Sequence, residues 1–121
     1  MKCVASVQAG VCGFSTTVTA NSPDDQMVTL EVETDCQKIA GLAEALREKE
    51  IDGYDEIAAG FEGVIMSAVR ASLSGCCAGC AVPPAIFKAL QVAARVALPR
   101  EVTITIEAGQ AGAKEERGCP M

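Results

Sequence analysis

Cysteine is the residue type in this sequence that most clearly offers chemistry. The chain has seven cysteines and no histidine. Three of them, Cys76, Cys77 and Cys80, lie within five positions in the stretch SGCCAGCAVPP. An odd number excludes complete disulfide pairing within one chain. Because the first residues do not follow the pattern of a secretory signal, we expect reduced thiols that bind metal, undergo redox reactions or pack as small hydrophobes.

Metal binding is the first of these three interpretations. Thiolates without histidine suit a tetrahedral Cys₄ zinc site or an iron–sulfur cluster, since both favour soft ligands. Cys77 and Cys80 have the C-x-x-C spacing of many chelating pairs. The predicted ligands are Cys12, Cys36, Cys77 and Cys80, with Cys76 as a substitute for Cys77 and Asp35 as a further candidate. The sequence therefore predicts a small zinc- or cluster-binding protein that acts as a carrier, scaffold or sensor.

Two other interpretations use the same thiols differently. In a thiol–disulfide redox protein, Cys77 and Cys80 would cycle as a disulfide, and Cys76 or Cys119 would resolve it. In a structural or interaction module the cysteines would be packing residues, because free cysteine is often buried as a small hydrophobe. Packing is the interpretation that we favour for Cys3.

The elements that must position the thiols follow from hydrophobic periodicity. Four segments alternate apolar and polar residues with a period of two, which indicates strands with one buried face. They are residues 3–9, 14–20, 28–33 and 102–107, the last with the sequence VTITIE. Such alternation is typical of an antiparallel or mixed sheet with one solvated face.

Between the third and fourth segments the period becomes helical. The first predicted helix has Asp35 as its N-cap and ends near residues 51–53. The second runs through residues 57–68, and the third, apolar almost all round, runs from Pro84 to Leu98. The order β-β-β-α-α-α-β predicts an α+β two-layer sandwich, with three helices on one face of a four-stranded sheet. We expect a single domain over residues 1–108 and a flexible tail over residues 109–121.

Chain direction in this order brings distant cysteines together. If successive elements alternate up and down, Cys12, Cys36 and the segment from Cys76 to Cys80 collect at one edge of the sheet. Two helices start there, and the positive helix ends favour thiolates. We therefore expect the sulfurs of Cys12, Cys36 and Cys80 within about 8 Å of one another, and Cys3 remote and buried.

This placement resembles that of the U-type (IscU/NifU-like) iron–sulfur cluster assembly scaffolds. In that family one cysteine lies in the first hairpin turn before a glycine, as in Cys12-Gly13, a second opens a helix after the third strand, like Cys36, and a third precedes a late helix, like Cys80. The sequence differs at Phe14, where the family has aspartate, and it lacks the family's histidine. The cysteine placement is also similar, more weakly, to that of TSCPD-type domains, in which a helix-opening cysteine is followed much later by Cys-Pro and an amphipathic helix. The resemblance implies binding of an iron–sulfur cluster or metal.

Composition limits the other functions. The formal net charge is −6, which argues against nucleic acid and anionic membranes as partners. No apolar run approaches the ~20 residues of a membrane span, and we expect a cytoplasmic protein. Without histidine there is no ready general base near neutral pH, so an enzyme is the weaker hypothesis. The expected partners are a protein that donates or accepts the metal or cluster, and a second copy if the apolar third helix forms a homodimer.

Overall fold

The computed structural model describes residues 1–75 and 79–109 as a sheet covered on one face by helices. The strands are β1 (Lys2–Gln8), β2 (Ser15–Asn21), β3 (Met27–Thr34) and β4 (Glu50–Asp52). The helices are α1 (Gln37–Leu46), α2 (Gly53–Ala59), α3 (Val64–Ser72) and α4 (Val82–Ala93), and short 3₁₀ turns occupy Gly10–Cys12 and Gly60–Glu62. The predicted α+β class is confirmed.

The sheet is antiparallel throughout, with strand order β1-β2-β3-β4. β1 pairs along its whole length with β2, from Lys2 opposite Asn21 to Gln8 opposite Ser15. Burial alternates along β2, where Val18 and Ala20 are fully buried. One face therefore packs on the helices and the other is solvated, as the period of two predicted.

α4 lies at the centre of the helical layer. It packs against β1 and β2, and its Ile86 and Leu90 are completely buried. Pro83 and Pro84 stand in its first turn, where a missing backbone N–H leaves no helical hydrogen bond unmade. α1 covers β3 through Ile39, Leu42 and Leu46, and α3 packs on α1. The apolar surface of α4 is thus buried within one chain.

The predicted fourth strand is wrong. Residues 100–109 form no strand, and Val102, Ile104 and Ile106 are 58%, 73% and 89% exposed. The fourth strand is instead Glu50–Asp52, which was predicted as the end of the first helix. α1 ends at Leu46, Glu48 takes a left-handed φ of 62°, and the chain turns back along β3 so that Ile51 is buried. Alternation shows that a segment can form a strand but does not show which strand edge it joins.

The second predicted helix is two helices. Gly60 has a φ of 57°, and a 3₁₀ turn separates α2 from α3 at this point. The interruption rotates the two halves relative to each other, so Ile57 and Phe61 are exposed whereas Ile65 is fully buried. The third predicted helix is also shorter than expected, since Arg95 adopts a φ of 65° just after α4.

Candidate functional site

Cys12 lies in the turn between β1 and β2. This turn is one 3₁₀ turn, Gly10–Cys12, closed by a hydrogen bond of 2.9 Å from the Gly13 N–H to the Gly10 carbonyl. Gly13 has a φ of 74°, a left-handed conformation that glycine adopts without a Cβ clash. The Cys12 side chain is exposed. The turn therefore presents a thiol to solvent at the end of the sheet.

Cys36 lies at the same end, as the N-cap of α1. Its backbone N–H donates to Thr34 Oγ1 at 3.1 Å, and the neighbouring Asp35 carboxylate accepts the Ser15 N–H at 2.9 Å. Ser15 starts β2, directly after the turn that carries Cys12. These contacts fix the start of α1 beside that turn. The Cys36 side chain is half-buried and packs against the core.

The chain leading to the predicted cysteine cluster also reaches this end. α3 ends at Ser72, and the ammonium of Lys38, in the first turn of α1, donates to the Ser74 carbonyl at 2.6 Å. Gly75 follows with a φ of 85°. Cys80 is half-buried against the core, just ahead of α4. We call this end of the sheet, with Gly10–Cys12, Cys36 and Ser74–Gly75, the thiol end.

Cys3 lies toward the opposite end of β1, paired with Ala20. Its side chain is half-buried and packs against the core, and burial raises the pKa of its thiol. A protonated thiol is a poor nucleophile and a poor metal ligand. Cys3 is therefore remote from the thiol end, as predicted, although it is less completely buried than expected.

The predicted ligand set is only partly placed. Cys76 and Cys77 lie outside the described residues, and so does Cys119. Among residues 1–75 and 79–109, no three cysteine, aspartate or glutamate side chains are grouped so that they could hold a metal ion. Cys12 and Cys36 share one end of the sheet, as the alternating topology predicted. A four-thiolate site remains a prediction.

The sequence analysis missed a buried carboxylate. Glu56 is 3% exposed, and its two oxygens accept the backbone N–H groups of Val64 at 3.0 Å and Ile65 at 2.8 Å. It thus satisfies two of the unpaired donors at the start of α3. A Cβ on Gly63 would lie 2.5 Å from Glu56 Oε2, so a larger residue at this position would displace the carboxylate. The sequence feature that could have revealed this role is the pair Gly60 and Gly63. These glycines break the helix and create a new helix N-terminus that a preceding glutamate can cap.

Glu56 also borders an open depression of about 610 Å³, lined by Ala45, Lys49, Asp55, Ala59, Glu62, Gly63, Val64, Ser67 and Ala68. Because both Glu56 oxygens already accept backbone hydrogen bonds, the carboxylate is committed to structure. We therefore assign no catalytic role to this depression.

Two further carboxylates hold backbone donors near Glu56. Asp52 caps α2 by accepting the N–H groups of Tyr54 and Asp55, both at 3.0 Å. Asp24 accepts the N–H of Met27 at 2.9 Å in the turn between β2 and β3. The hydrogen bond from Asp55 is the main cause that lowers the pKa of Asp52, and the one from Met27 lowers the pKa of Asp24. We call the end with Asp24, Asp52 and Glu56 the carboxylate end.

In comparisons with known proteins, the chain matches the model of a family whose function is unknown. The family model described as "Family of unknown function (DUF6951)" matches residues 3–106, a range that contains all the predicted ligands. No curated protein and no solved structure matches the chain. In the described part of the chain, no helix is long and apolar enough to cross a membrane.

Proposed function

For a chain that belongs to the DUF6951 family of unknown function, we propose that the thiol end binds zinc or an iron–sulfur cluster. Cys12, Cys36 and Cys80 supply thiolates, together with Cys77 or Cys76. The protein acts as a carrier, scaffold or sensor that exchanges the metal or cluster with a partner protein. The proposal concerns binding, and it assigns no reaction to the chain.

The hydrogen bond between Lys38 and Ser74 carries this proposal. It joins the segment after α3 to the first turn of α1, where Lys38 follows Cys36 by two residues. The chain continues from Ser74 directly into Cys76 and Cys77. This contact brings Ser74, which is distant from Cys36 in sequence, to the start of α1, and so supports a site that includes the cysteines that follow Ser74.

The exposed Cys12 turn supports exchange of a bound ion. A ligand on the surface is accessible to a partner protein, whereas the half-buried Cys36 and Cys80 are held by core packing. A closed site needs four ligands. Because Cys12, Cys36 and Cys80 do not form such a group in the described structure, the proposal requires that these thiols approach one another when the ion binds and that Cys77 or Cys76 adds a further thiolate.

Anaerobic purification followed by elemental analysis and a UV–visible spectrum tests the proposal. We expect bound zinc, or the absorbance of a cluster, and a clear loss of it in the Cys36→Ser and Cys80→Ala variants. Cys3→Ser is the matched control, because that thiol is remote and its pKa is raised. Protein that stays metal-free and colourless after reconstitution with zinc, or with iron and sulfide, would contradict the proposal.

Thiol trapping separates metal binding from the redox alternative. Metal ligands resist alkylation until a chelator is added, whereas redox thiols react at once after reduction. A disulfide between Cys77 and Cys80 under mild oxidant, without chelator dependence, would favour the redox interpretation. Thiol reactivity that depends on neither reductant nor chelator would favour packing residues.

A further inference from the structure

The segment Glu101–Glu107 has the sequence of a strand but lacks a strand's partner. Its residues alternate as EVTITIE, with β-branched residues at all five central positions. Within the described residues it pairs with nothing, and all its side chains are exposed. Three large aliphatic side chains on one face of an exposed segment need a surface to cover them.

The outer edge of β1 offers such a surface. In the part of the chain that the structure describes, β1 pairs with β2 alone, so its other edge keeps unpaired backbone N–H and C=O groups. Cys3 and Ala5 on its helix-facing side are only half-buried, whereas Val18 and Ala20 on β2 are fully buried. The apolar layer between sheet and α4 is therefore incomplete along β1.

We infer that Glu101–Glu107 of a second copy of this chain pairs with the outer edge of β1, and that the reciprocal exchange forms a two-fold dimer. Each copy then adds a fifth strand to the sheet of the other. Backbone hydrogen bonds supply the attachment, and the apolar alternation supplies the register. This inference is independent of the proposed metal site.

Length, alternation and charge all fit this pairing. β1 and the segment each have seven residues. In an antiparallel register that places Lys2 opposite Glu107, Cys3 lies opposite Ile106 and Val7 opposite Val102, so apolar residues meet on the helix-facing side. Lys2 and Glu107 form an opposite-charge pair on the solvated side. A slip of one residue would turn the isoleucines to the solvated face.

The anchor of the segment disfavours antiparallel pairing with β1 of the same chain. Arg95 Nε donates to Asp25 at 3.0 Å, and the N-terminal amine lies 3.9 Å from the same carboxylate, so the segment departs beside the start of β1. An antiparallel pairing with its own β1 would need Glu101 beside Gln8, about 20 Å along the strand. The residues between Arg95 and Glu101 would then have to be almost fully extended.

Pairing of two segments with each other is less favourable than pairing with β1. An antiparallel pair centred on Ile104 would place Glu101 opposite Glu107 at both ends. Like charges directly opposite one another destabilise a sheet. The lysine at the start of β1 removes this repulsion, which is why we assign β1 as the partner.

Light scattering coupled to size-exclusion chromatography of the full chain provides the first test. We expect a dimer, and Ile104→Lys should raise its dissociation constant by about 100-fold or more, because each dimer loses two buried isoleucines. Thr103→Lys on the solvated face is the matched control and should remain dimeric. A monomeric wild-type protein, or a dimer that Ile104→Lys does not weaken, would overturn the inference.

Directed crosslinking tests the register. In the antiparallel dimer, the Ile106→Cys variant should form a disulfide with Cys3 of the other copy, to be identified by peptide mass spectrometry. Val102→Cys is the comparison, because Cys3 would face Val102 if the segment ran parallel along the β1 of its own chain. An intramolecular crosslink between Cys3 and the thiol introduced at Val102 would contradict the inference.

Discussion

The two ends of the sheet are built in different ways. At the carboxylate end, Asp24, Asp52 and Glu56 each accept two backbone N–H groups, and so close a turn and start two helices. At the thiol end, neither α1 nor α4 has a side-chain cap among the described residues. The N-caps there are Cys36 and Ala81, whose side chains are poor substitutes for an oxygen acceptor.

This difference indicates that one end of the sheet contributes mainly to stability and the other mainly to binding. A helix start whose N–H groups are already satisfied has little left to offer a ligand, whereas the uncapped start of α1 retains donors for an anionic group such as a thiolate. The start of α4 retains fewer, because Pro83 and Pro84 have no N–H. The carboxylate end should therefore respond strongly to substitution through the free energy of unfolding. Substitutions at the thiol end should change the free energy of unfolding little, but they should strongly reduce ligand binding.

The largest effect is expected at Glu56. Glu56→Ala leaves the N–H groups of Val64 and Ile65 without their acceptor in a buried place, which should lower the free energy of unfolding by about 2–4 kcal/mol. Urea denaturation measures this change. Glu56→Gln keeps one acceptor oxygen and should cost less.

Glu62→Ala is the control for Glu56, since that side chain is exposed on the neighbouring turn and its removal should change stability by less than about 0.5 kcal/mol. Equal effects at Glu56 and Glu62 would show that the buried carboxylate does not stabilise α3. The contrast between the two ends would then lose its main support.

The second effect is a pH dependence at Asp52. Hydrogen bonds lower its pKa from the ordinary value of 3.8, mainly the one from the Asp55 N–H. Its contribution to stability is complete above pH 3.8 and is lost as the pH falls through the lower, folded-state pKa. Thermal unfolding across pH 2–5 should show a smaller acid loss for Asp52→Asn than for the wild type. If Asp52→Asn and the exposed-site control Glu33→Gln gave the same acid profile as the wild type, Asp52 would not be a stabilising cap.

Features of the fold that depend on interactions between residues close in sequence could be predicted, whereas those that depend on distant residues could not. The alternation of Val28 and Leu30 follows from local periodicity and was predicted. A helix after Asp35 was also predicted, and its buried face is Ile39, Leu42 and Leu46. The role of Glu56 was not, because it depends on a helix break at Gly60 that turns one predicted helix into two. The exposure of Ile104 also escaped prediction, because periodicity says nothing about which strand edge is available.

For the candidate site, the sequence predicted which cysteines lie at the same end of the sheet, but it could not predict whether their sulfurs come close enough to bind one ion. That Cys12 and Cys36 lie at the same end of the sheet follows from the alternating chain direction, and they do so in the structure. The positions of individual sulfurs depend on loop geometry, which neither hydrophobic pattern nor chain direction specifies. Cys3 was separated correctly from the other thiols because mid-strand residues are governed by the regular pattern.

A smaller effect is expected at Lys38, in the thiol end. Lys38→Met keeps the aliphatic stem but removes the donor to the Ser74 carbonyl. We expect a stability loss below about 1 kcal/mol, since the contact is exposed. Hydrogen exchange at Leu73 and Ser74 should nevertheless increase. Lys49→Met is the control, because the Lys49 ammonium has no hydrogen-bond partner among the described residues. Unchanged exchange in Lys38→Met would mean that the lysine does not hold the end of α3 against α1.

The smallest effect on stability is expected at Cys12. Its thiol is exposed in a turn whose shape is set by the backbone of Gly10 and Gly13, so Cys12→Ser should leave the urea midpoint within error of the wild type. Cys3→Ser provides the contrast at the far end of β1, because it places a hydroxyl against the apolar core and should lower the midpoint measurably. If the thiol end binds metal, the ranking reverses in elemental analysis: Cys12→Ser loses bound metal and Cys3→Ser retains it. A Cys12→Ser variant that was destabilised as much as Cys3→Ser would show that the turn is a structural element, and the division between a stabilising end and a binding end would fail.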